Sequence, residues 1–335
     1  MHQFVKHLPK VELHLHIEGT LEPALMFELA QRNNVDIPYQ SIEDVKKAYD
    51  FHNLQSFLDI YYQGANVLMH EQDFYDLTWE YLLKCKKDNV IHTEIFFDPQ
   101  THTERGVDFD TVVHGIDKAL RAAENELGIT SNLIMCFLKH LDEASAIDTL
   151  KAASKHQDKI IGVGLDSTEI GNPMSKFERV FEQARQLGFK AVAHAGEEGP
   201  AQNIIDAIEI LKVERIDHGV RCTDNNHLVE QLKKSQMALT VCPLSNIKLK
   251  VFEDMTDHNI VELLRSDVKV TINSDDPSYF GGYMTDNFHA VIDAHELTHE
   301  ELARFTLNAI EASFIEDEHK ERLIKTTLDY LSLHQ

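Results

Sequence analysis

The segment KAVAHAGEEGPAQNIIDAIEILKVERIDHGV, residues 190–220, decides the fold of this chain. It opens with an apolar, strand-like run, continues with helical spacing and closes with a second strand-like run. A strand, a helix and a strand in this order predict a parallel pair joined by a right-handed crossover. His194 lies near the end of the first run and His218 near the end of the second. Because parallel strands end on the same edge, these side chains are predicted to meet.

The same unit recurs along the 335-residue chain. Eight short β-branched or apolar runs alternate with helical segments, and this pattern predicts an α/β fold, a closed (β/α)8 TIM barrel. The runs are VELHLH (11–16), IHTEIFF (91–97), NLIMCFL (132–138), IIGVGLD (160–166), KAVAHAG (190–196), RIDHGV (215–220), ALTVCPL (238–244) and KVTIN (269–273). We find no linker or sequence repeat, so residues 1–335 are predicted to form a single metal-dependent hydrolase barrel domain.

The first connection, residues 17–90, is much longer than the others and is predicted to be a helical insert. Helical spacing covers residues 23–32, 54–69 and 72–88. The apolar residues of 51–62 could pack against the barrel core, or they could form a lid over a flat, uncharged substrate. Residues 284–331 are predicted to form two or three closing C-terminal helices.

Composition limits the partners that this chain can have. It carries 56 acidic and 32 basic residues, a formal net charge of -24, and 43% hydrophobic residues. Nucleic acid and anionic membranes bind clustered Lys and Arg, so neither is an expected partner. No apolar stretch is long enough to span a membrane, and the N-terminus lacks the apolar core of a signal peptide. The four cysteines form no C-x-x-C pair, which predicts reduced, mostly buried thiols in a cytoplasmic protein.

Two strand ends carry residues typical of metal ligands. His14 and His16 stand two apart on a strand, so both imidazoles can face the same side and bind one ion. Asp275 and Asp276 follow the eighth run, and adjacent carboxylates repel each other unless a cation lies beside them. Each motif also has an ordinary explanation, a chance pair of histidines on a solvated face and an Asp-Asp-Pro turn.

The fifth and sixth strand ends supply a third histidine and candidates for acid–base chemistry. His194 ends its strand, and Glu197 follows where the chain turns over the rim. A glutamate there could also be an acidic charge at a helix N-terminus. His218 could hold or accept a proton, since the ordinary pKa of histidine lies near neutral pH, or it could be a core histidine.

Together these residues predict a metal centre at the rim of the barrel. The four patches lie at the downstream ends of the first, fifth, sixth and eighth strands, and that rim is where barrel enzymes carry out their chemistry. Three imidazoles and one carboxylate suit zinc, with iron or manganese as alternatives. The fourth run and its next residue, IIGVGLDS (160–167), contain no lysine that could bridge two metals. We therefore expect one divalent metal, Zn²⁺ by preference, that activates water for attack on a substrate.

The ordered motifs resemble those of the adenosine/adenine deaminase family of metal-dependent hydrolases over nearly the whole chain. The matching strings are PKVELHLH (9–16), HAGE (194–197), HG (218–219) and SDDP (274–277). Within the family, the longer strings look most like those of adenine deaminases: HIEGTLEP (16–23), HAGEEGP (194–200), DHGVR (217–221) and NSDDPSYFGGY (273–283).

The resemblance implies hydrolytic deamination of adenine to hypoxanthine and ammonia, in purine salvage. The metal ligands would be His14, His16, His194 and Asp275. His218 would orient the water and accept its proton. Glu197 would protonate N1 of the ring, which requires a carboxyl pKa raised by burial. Asp276 would meet N7, and Ser167 stands where related enzymes place a glycine whose N–H meets the purine.

One position in the resemblance separates a base from a nucleoside. Adenosine deaminases carry Asp-Gly after the second histidine, where the aspartate holds a ribose hydroxyl, whereas this chain has Glu18 and Gly19. The longer side chain could fill space that ribose would need, so a small purine base is the expected partner. Adenosine, an N6-substituted adenine or an adenylate are alternatives with the same chemistry. An inactive barrel that only binds a purine or a partner protein is the alternative from another class, and the oligomeric state does not follow from the sequence.

Overall fold

Eight parallel strands form one sheet in the computed structural model, which describes residues 1–334. The strands are β1 (Lys10–Glu12), β2 (Val90–Phe97), β3 (Thr130–Leu138), β4 (Ile160–Asp166), β5 (Lys190–Ala195), β6 (Arg215–His218), β7 (Ala238–Val241) and β8 (Val270–Ile272). Each strand pairs in parallel with the next along the chain. The predicted (β/α)8 barrel is therefore confirmed.

The barrel closes between β8 and β1 through residues that follow both strands. An isolated parallel bridge joins Leu15 to Asp275, and the N–H of His16 donates to the Asp275 carbonyl at 3.0 Å. Nearer the start of the seam, the N–H of Leu13 donates instead to Oδ1 of Asn273 at 2.8 Å. A side chain thus replaces a backbone partner at this point, and regular strand β1 is shorter than predicted.

Helix α1 (His2–His7) precedes β1, and the insert that follows β1 is helical, as predicted. It contains a 3-10 turn (Glu18–Thr20), α2 (Pro23–Asn33), α3 (Ile42–Ala48), α4 (Leu54–Ala65) and α5 (Glu71–Lys87). The sequence pattern missed α3 because this seven-residue helix buries only Val45. Its start is fixed locally, since the side chain of Ser41 accepts the N–H of Asp44, as N-cap residues do.

The other connections are shorter. They hold α6 (Pro99–Thr103), α7 (Phe109–Leu127), α8 (Glu143–Ala153), α9 (Glu178–Gln186), α10 (Ala201–Asp206), α11 (Asn226–Ser235), α12 (Pro243–Lys248) and α13 (Ile260–Arg265). After β8 come α14 (Pro277–Phe280), α15 (Met284–Ala294), α16 (His299–Ala312) and α17 (Asp317–Ser332). The last three are the predicted closing helices. Strand β7 ends before the predicted boundary because Pro243 begins α12, a position that proline favours.

A buried ion pair lies inside the barrel below the rim. Glu94 and Arg215 are fully buried there and form an ion pair with 2.6 Å between Oε2 and Nη1. The guanidinium of Arg215 also lies 4.7 Å from the centre of the Phe314 ring, close enough for a cation–π contact. The four cysteines are free and buried, as predicted. Among residues 1–334, none of the helices has the length and apolar character that a membrane span requires.

Candidate active site

The predicted metal-binding side chains converge at the downstream ends of the strands. Ligand atoms of His14, His194, His218 and Asp275 all lie within 4.8 Å of one another. His16 joins them, with its Nε2 3.0 Å from Nε2 of His194 and 3.5 Å from Oδ1 of Asp275. The structure thus brings together the four residues expected as ligands and the histidine expected as a base.

These buried atoms suit a cation. Nε2 of His14 lies 3.3 Å from Oδ1 of Asp275 but has no hydrogen-bond partner, and the imidazole nitrogens of His16 and His194 face each other. Burial lowers the pKa of His16 to about 4. Burial, followed by the neighbouring His14, lowers the pKa of His194 well below its usual range. Neutral imidazoles around a carboxylate are the form in which these groups bind a metal.

The carboxylate of the cluster remains ionised. Burial alone would favour its neutral form, but His14, followed by His218 and His16, lowers the pKa of Asp275 below its usual range. The reciprocal effect appears at His14, where burial is outweighed by Asp275 and the pKa is raised. The cluster therefore combines one negative charge with several imidazole nitrogens.

The outer nitrogen of each candidate ligand histidine lies near an oxygen atom on another strand. Nδ1 of His16 lies 3.4 Å from Oδ2 of Asp166, and Nδ1 of His194 lies 3.6 Å from Oδ2 of Asp217. Nδ1 of His14 lies 3.1 Å from the carbonyl oxygen of Thr240. Such partners fix the tautomer and direct Nε2 at a shared ion. These three partners were not predicted from the sequence, although each stands on a predicted strand.

Three residues at the strand ends have an unusual backbone. Ser167, His218 and Asp275 adopt left-handed conformations with φ of 70°, 64° and 63°. Residues other than glycine rarely occupy this region, and when they do they cluster at functional sites. The left-handed turn re-aims each side chain at the point where its strand ends, so the three side chains point into the same space.

Glu197 and His218 lie side by side at this cluster. Oε2 of Glu197 is 3.6 Å from Nε2 of His218, and both residues are buried. Burial, followed by Asp275 and Glu169, raises the pKa of Glu197 well above its usual range. Burial, followed by His14, lowers the pKa of His218 well below its usual range. These shifts favour a protonated carboxyl beside a neutral imidazole, an arrangement that can donate and accept a proton.

The loop that carries Glu197 is held by a second glutamate that the sequence analysis missed. The carboxylate of Glu169 accepts the backbone N–H groups of Gly196, Glu197 and Gly199 at 2.7, 3.1 and 2.9 Å. It also accepts the side-chain amide of Asn203 at 2.7 Å. Four donors around one buried carboxylate hold the 196–199 turn in place. This turn then sets the position of Glu197.

A small cavity of about 30 Å³ lies above the cluster. Its upper wall comes from α4, through Leu54, Phe57, Leu58, Tyr61 and Tyr62. This face is mostly buried, so it packs against the molecule and also covers the cavity. The two interpretations of the 51–62 pattern, packing against the barrel and covering the cavity, therefore apply to the same face. The motion of a lid remains a prediction.

The two predicted substrate-binding residues, Asp276 and Ser167, line this cavity. Oδ1 of the buried Asp276 has no hydrogen-bond partner. A Cβ at Gly19 would lie 2.0 Å from that oxygen, so only glycine leaves room for it. The hydroxyl of Ser167 is already occupied, lying 3.1 Å from Tyr62 Oη and 2.8 Å from His140 Nδ1.

Glu18 lies elsewhere than the sequence suggested. It is buried but is not among the residues that line the cavity. Its Oε1 accepts the backbone N–H of Asp98 at 3.1 Å and lies 2.8 Å from Nε2 of His102. The longer side chain turns towards Asp98 and His102, which follow β2, instead of filling the cavity, and Asp98 itself lines the cavity.

Comparison with known proteins places this arrangement in one family. The sequence profile of adenosine deaminases matches residues 9–330. The chain is 66% identical over 334 residues to an adenine deaminase of Vibrio parahaemolyticus, covering 100% of this chain and 99% of the relative. It is 60% identical over 323 residues to an adenine deaminase of Acinetobacter baylyi, covering 96% and 97% of the two chains.

Solved structures give the same result. The crystal structure of an adenine deaminase from Arthrobacter aurescens superposes with a TM-score of 0.96 at 45% identity, covering 97% of this chain and 99% of that one. A zinc-bound amidohydrolase from Burkholderia ambifaria superposes with a TM-score of 0.89 at 25% identity, covering 99% and 94%. With its barrel, its ordered motifs and the convergence of those motifs at one rim, this chain belongs to the adenosine deaminase family.

Proposed function

We propose that this protein hydrolyses adenine to hypoxanthine and ammonia, as a step of purine salvage. The observation that carries the proposal is the buried pair of Glu197 and His218, 3.6 Å apart, beside a cluster of imidazoles and one carboxylate. The high identity to proteins named adenine deaminase, over nearly the full length of both chains, supports adenine as the substrate.

The cluster would hold one divalent metal, which we propose is zinc. The donor set of imidazole nitrogens and a carboxylate oxygen suits zinc, and a structural relative contains this metal. The proposed ligands are His14, His16, His194 and Asp275. When bound, such a dication supplies the positive charge that lowers the pKa of water from 15.7 towards about 7.

Both His16 and His218 are candidates for the last ligand position. Their distances to the two carboxylate oxygens of Asp275 distinguish them. Oδ1 of Asp275 lies 3.3 Å from His14 and 3.5 Å from His16. Oδ2 is the oxygen that lies 3.7 Å from Nε2 of His218. We therefore assign His16 to the metal, and His218 to the water and its proton. Nδ2 of Asn246 lies 3.4 Å from Nδ1 of His218, on the side of the ring away from Glu197.

The protonation states suit the order of proton transfers. Glu197, protonated at neutral pH, would donate its proton to N1 of adenine and so make C6 more electrophilic. His218, neutral at the same pH, would orient the attacking water and accept its proton. A donor and an acceptor with pKa values displaced in opposite directions are the usual arrangement of paired acid–base groups. Ammonia would then leave from C6.

Asp276 and Ser167 would orient the ring. Burial, followed by the adjacent Asp275, raises the pKa of Asp276 well above its usual range. A protonated Asp276 can donate a hydrogen bond to N7, which is an acceptor in the common tautomer of adenine. The hydroxyl of Ser167 is bound to Tyr62 and His140, so a contact with the purine would come from its backbone.

The test is deamination followed by ultraviolet absorbance, with zinc-loaded protein given adenine and adenosine side by side at neutral pH. We expect rapid conversion of adenine and little of adenosine. Rapid conversion of adenosine would leave the assignment of the acid–base pair intact, but it would contradict the proposal that adenine is the substrate. A protein that retained zinc and converted neither would support the non-catalytic alternative.

A further inference from the structure

The seam between β8 and β1 divides the proposed metal ligands into two groups. His14 and His16 follow β1, whereas Asp275 follows β8. These ligands meet across the seam, since Oδ1 of Asp275 lies 3.3 Å from Nε2 of His14 and 3.5 Å from Nε2 of His16. A small shift of one edge against the other would therefore change the geometry of the metal site.

Two backbone hydrogen bonds join the edges at Asp275. Its N–H donates to the His14 carbonyl at 3.1 Å, and its carbonyl accepts the N–H of His16 at 3.0 Å. The preceding residue, Ser274, is held by a side chain instead. Its N–H donates to Oε1 of Glu12 at 3.0 Å, and its hydroxyl donates to the same oxygen. The last residue of β1 thus anchors the chain directly before the ligand that follows β8.

The carboxylate of Glu12 is held on its other side by the helical layer. Its Oε2 accepts the hydroxyl of Tyr81, which stands on α5, at 2.7 Å. That hydroxyl also lies 2.7 Å from Oγ1 of Thr93 on β2. Glu12, Tyr81 and Ser274 are all buried. Residues of β1, α5 and β2 together therefore fix the oxygen that Ser274 contacts.

The proposed reaction uses Glu12 neither as a ligand nor in a proton transfer. Burying a carboxyl group is costly unless hydrogen bonds compensate for the loss of water, so an apolar side chain would fill this space more cheaply. The residue after Ser274 shows what the hydrogen bonds provide, since Asp275 has a left-handed backbone with φ of 63°. Residues other than glycine keep such a conformation only where the surrounding structure holds them in it.

We propose that Glu12 is a positioning residue: by holding Ser274, it fixes the Asp275 carboxylate at the metal site. The inference rests on the proposed function, because that function makes Asp275 a metal ligand. Hydrogen-bond partners outside the ligand set orient the ligands, and their loss typically costs about 10- to 100-fold in metal affinity. Here the partner acts on the backbone before the ligand.

Two substitutions of Glu12 separate its position from its charge. Glu12→Gln keeps the length of the side chain and one oxygen for the two donors of Ser274, but it removes the charge. The hydroxyl of Tyr81 can accept from the new amide and donate to Thr93, because either hydroxyl of that pair can be the donor. Glu12→Asp keeps the charge but is one methylene shorter, so its carboxylate cannot reach Ser274 and Tyr81 together.

Two control variants account for effects on stability. Glu80→Gln changes an exposed glutamate on α5 and should behave as wild type. Leu77→Ala truncates a fully buried residue of the same helix. It should lower the melting temperature through lost packing, without removing a hydrogen bond at the seam.

The measurement is the zinc dissociation constant of each protein, from competition with a chelator at fixed pH, together with the melting temperature of the metal-free form. We expect Glu12→Asp to raise the dissociation constant by about 10- to 100-fold, and Glu12→Gln to stay close to wild type. Leu77→Ala should melt at a lower temperature with its zinc affinity nearly unchanged.

Three results would overturn the inference. Wild-type zinc affinity in Glu12→Asp would show that the seam holds without this contact. A loss in Glu12→Gln as large as that in Glu12→Asp would assign the effect to charge. An equal loss in Leu77→Ala would assign it to general stability. A wild-type protein that bound no zinc would overturn the proposed metal centre as well, whereas the first three results leave that centre intact.

A variant of Ser274 decides if Glu12→Asp fails to fold. Ser274→Ala removes the hydroxyl donor and keeps the N–H bond to Glu12. Zinc affinity should fall by less than about tenfold, the value of one neutral hydrogen bond, at a nearly unchanged melting temperature. An unchanged affinity would contradict the inference.

Discussion

The two halves of the rim differ in the polar side chains that their strand ends carry. On the half formed by the ends of β1, β5, β6 and β8, the histidines that face the cluster have oxygen atoms near their outer nitrogens, from residues such as Asp217 and Thr240. On the half formed by β2 and β4, the buried carboxyl groups of Asp98 and Asp166 line the cavity. The difference teaches that the first half is arranged around the candidate metal position, whereas the second half contributes carboxyl groups to the wall of the cavity.

The largest effect should come from removing a ligand on the first half. We expect His194→Ala to abolish detectable adenine turnover and to lose bound zinc, because the remaining ligands cannot hold a dication as tightly. Metal analysis after dialysis, together with turnover, checks this. His227→Ala, on the exposed face of α11, is the control and should behave as wild type. Full zinc retention in His194→Ala would remove this residue from the ligand set.

The next effect tests the loop that joins the two halves. Glu169→Ala leaves three backbone N–H groups of the 196–199 turn without an acceptor, and each such group costs about 1–3 kcal/mol. We expect a lower melting temperature and a kcat reduced by about 100-fold, with zinc affinity nearly unchanged. Glu178→Ala, exposed on α9, is the control. A variant with wild-type kcat would show that Glu197 does not depend on this support.

A smaller effect is expected from the outer partner of a ligand. Asp217→Asn keeps the shape beside Nδ1 of His194 but removes the negative charge, and such changes cost about 10- to 100-fold in metal affinity. Competition with a chelator at fixed pH measures the loss, and Asp224→Asn, on the exposed surface, serves as control. Unchanged zinc affinity would show that Asp217 is dispensable for metal binding, and it would contradict the difference proposed between the two halves.

The smallest effect concerns the roof of the cavity. Tyr62→Phe removes the hydroxyl that lies 3.1 Å from Ser167 and keeps the apolar ring over the cavity. One neutral hydrogen bond contributes about 1 kcal/mol, so KM for adenine should rise by less than about tenfold with kcat unchanged. Steady-state kinetics decide. A large fall in kcat would assign this tyrosine a part in the reaction.

Most of the first half could be predicted from sequence. His14 and His16 alternate along a strand run, and Asp275 follows an apolar run, so strand periodicity alone directs them to one rim. The second half obeys the same rule, since Asp98 follows IHTEIFF and Asp166 ends IIGVGLD. A single carboxylate after a strand carries little signal, because acidic residues are common in loops, and these two were missed.

Other features depend on contacts that no local pattern records. The sequence gives no sign that Glu18 turns towards His102, because that choice depends on a helix 84 residues further along the chain. The hydrogen bonds that Glu169 accepts from the 196–199 turn likewise depend on how two neighbouring loops pack together. The left-handed backbone at His218 and Asp275 is equally hidden, since neither residue type demands it.

The most direct test of the account is Glu197→Gln, assayed across pH. The protonated Glu197 is the active form, so wild-type activity should fall as pH rises through its elevated pKa. Glutamine cannot deliver a proton to N1, so kcat should fall by about 10²- to 10⁴-fold and this alkaline decline should disappear, with zinc content and hypoxanthine binding retained. Near-normal turnover, or an unchanged alkaline decline, would contradict the assignment of Glu197 as the proton donor.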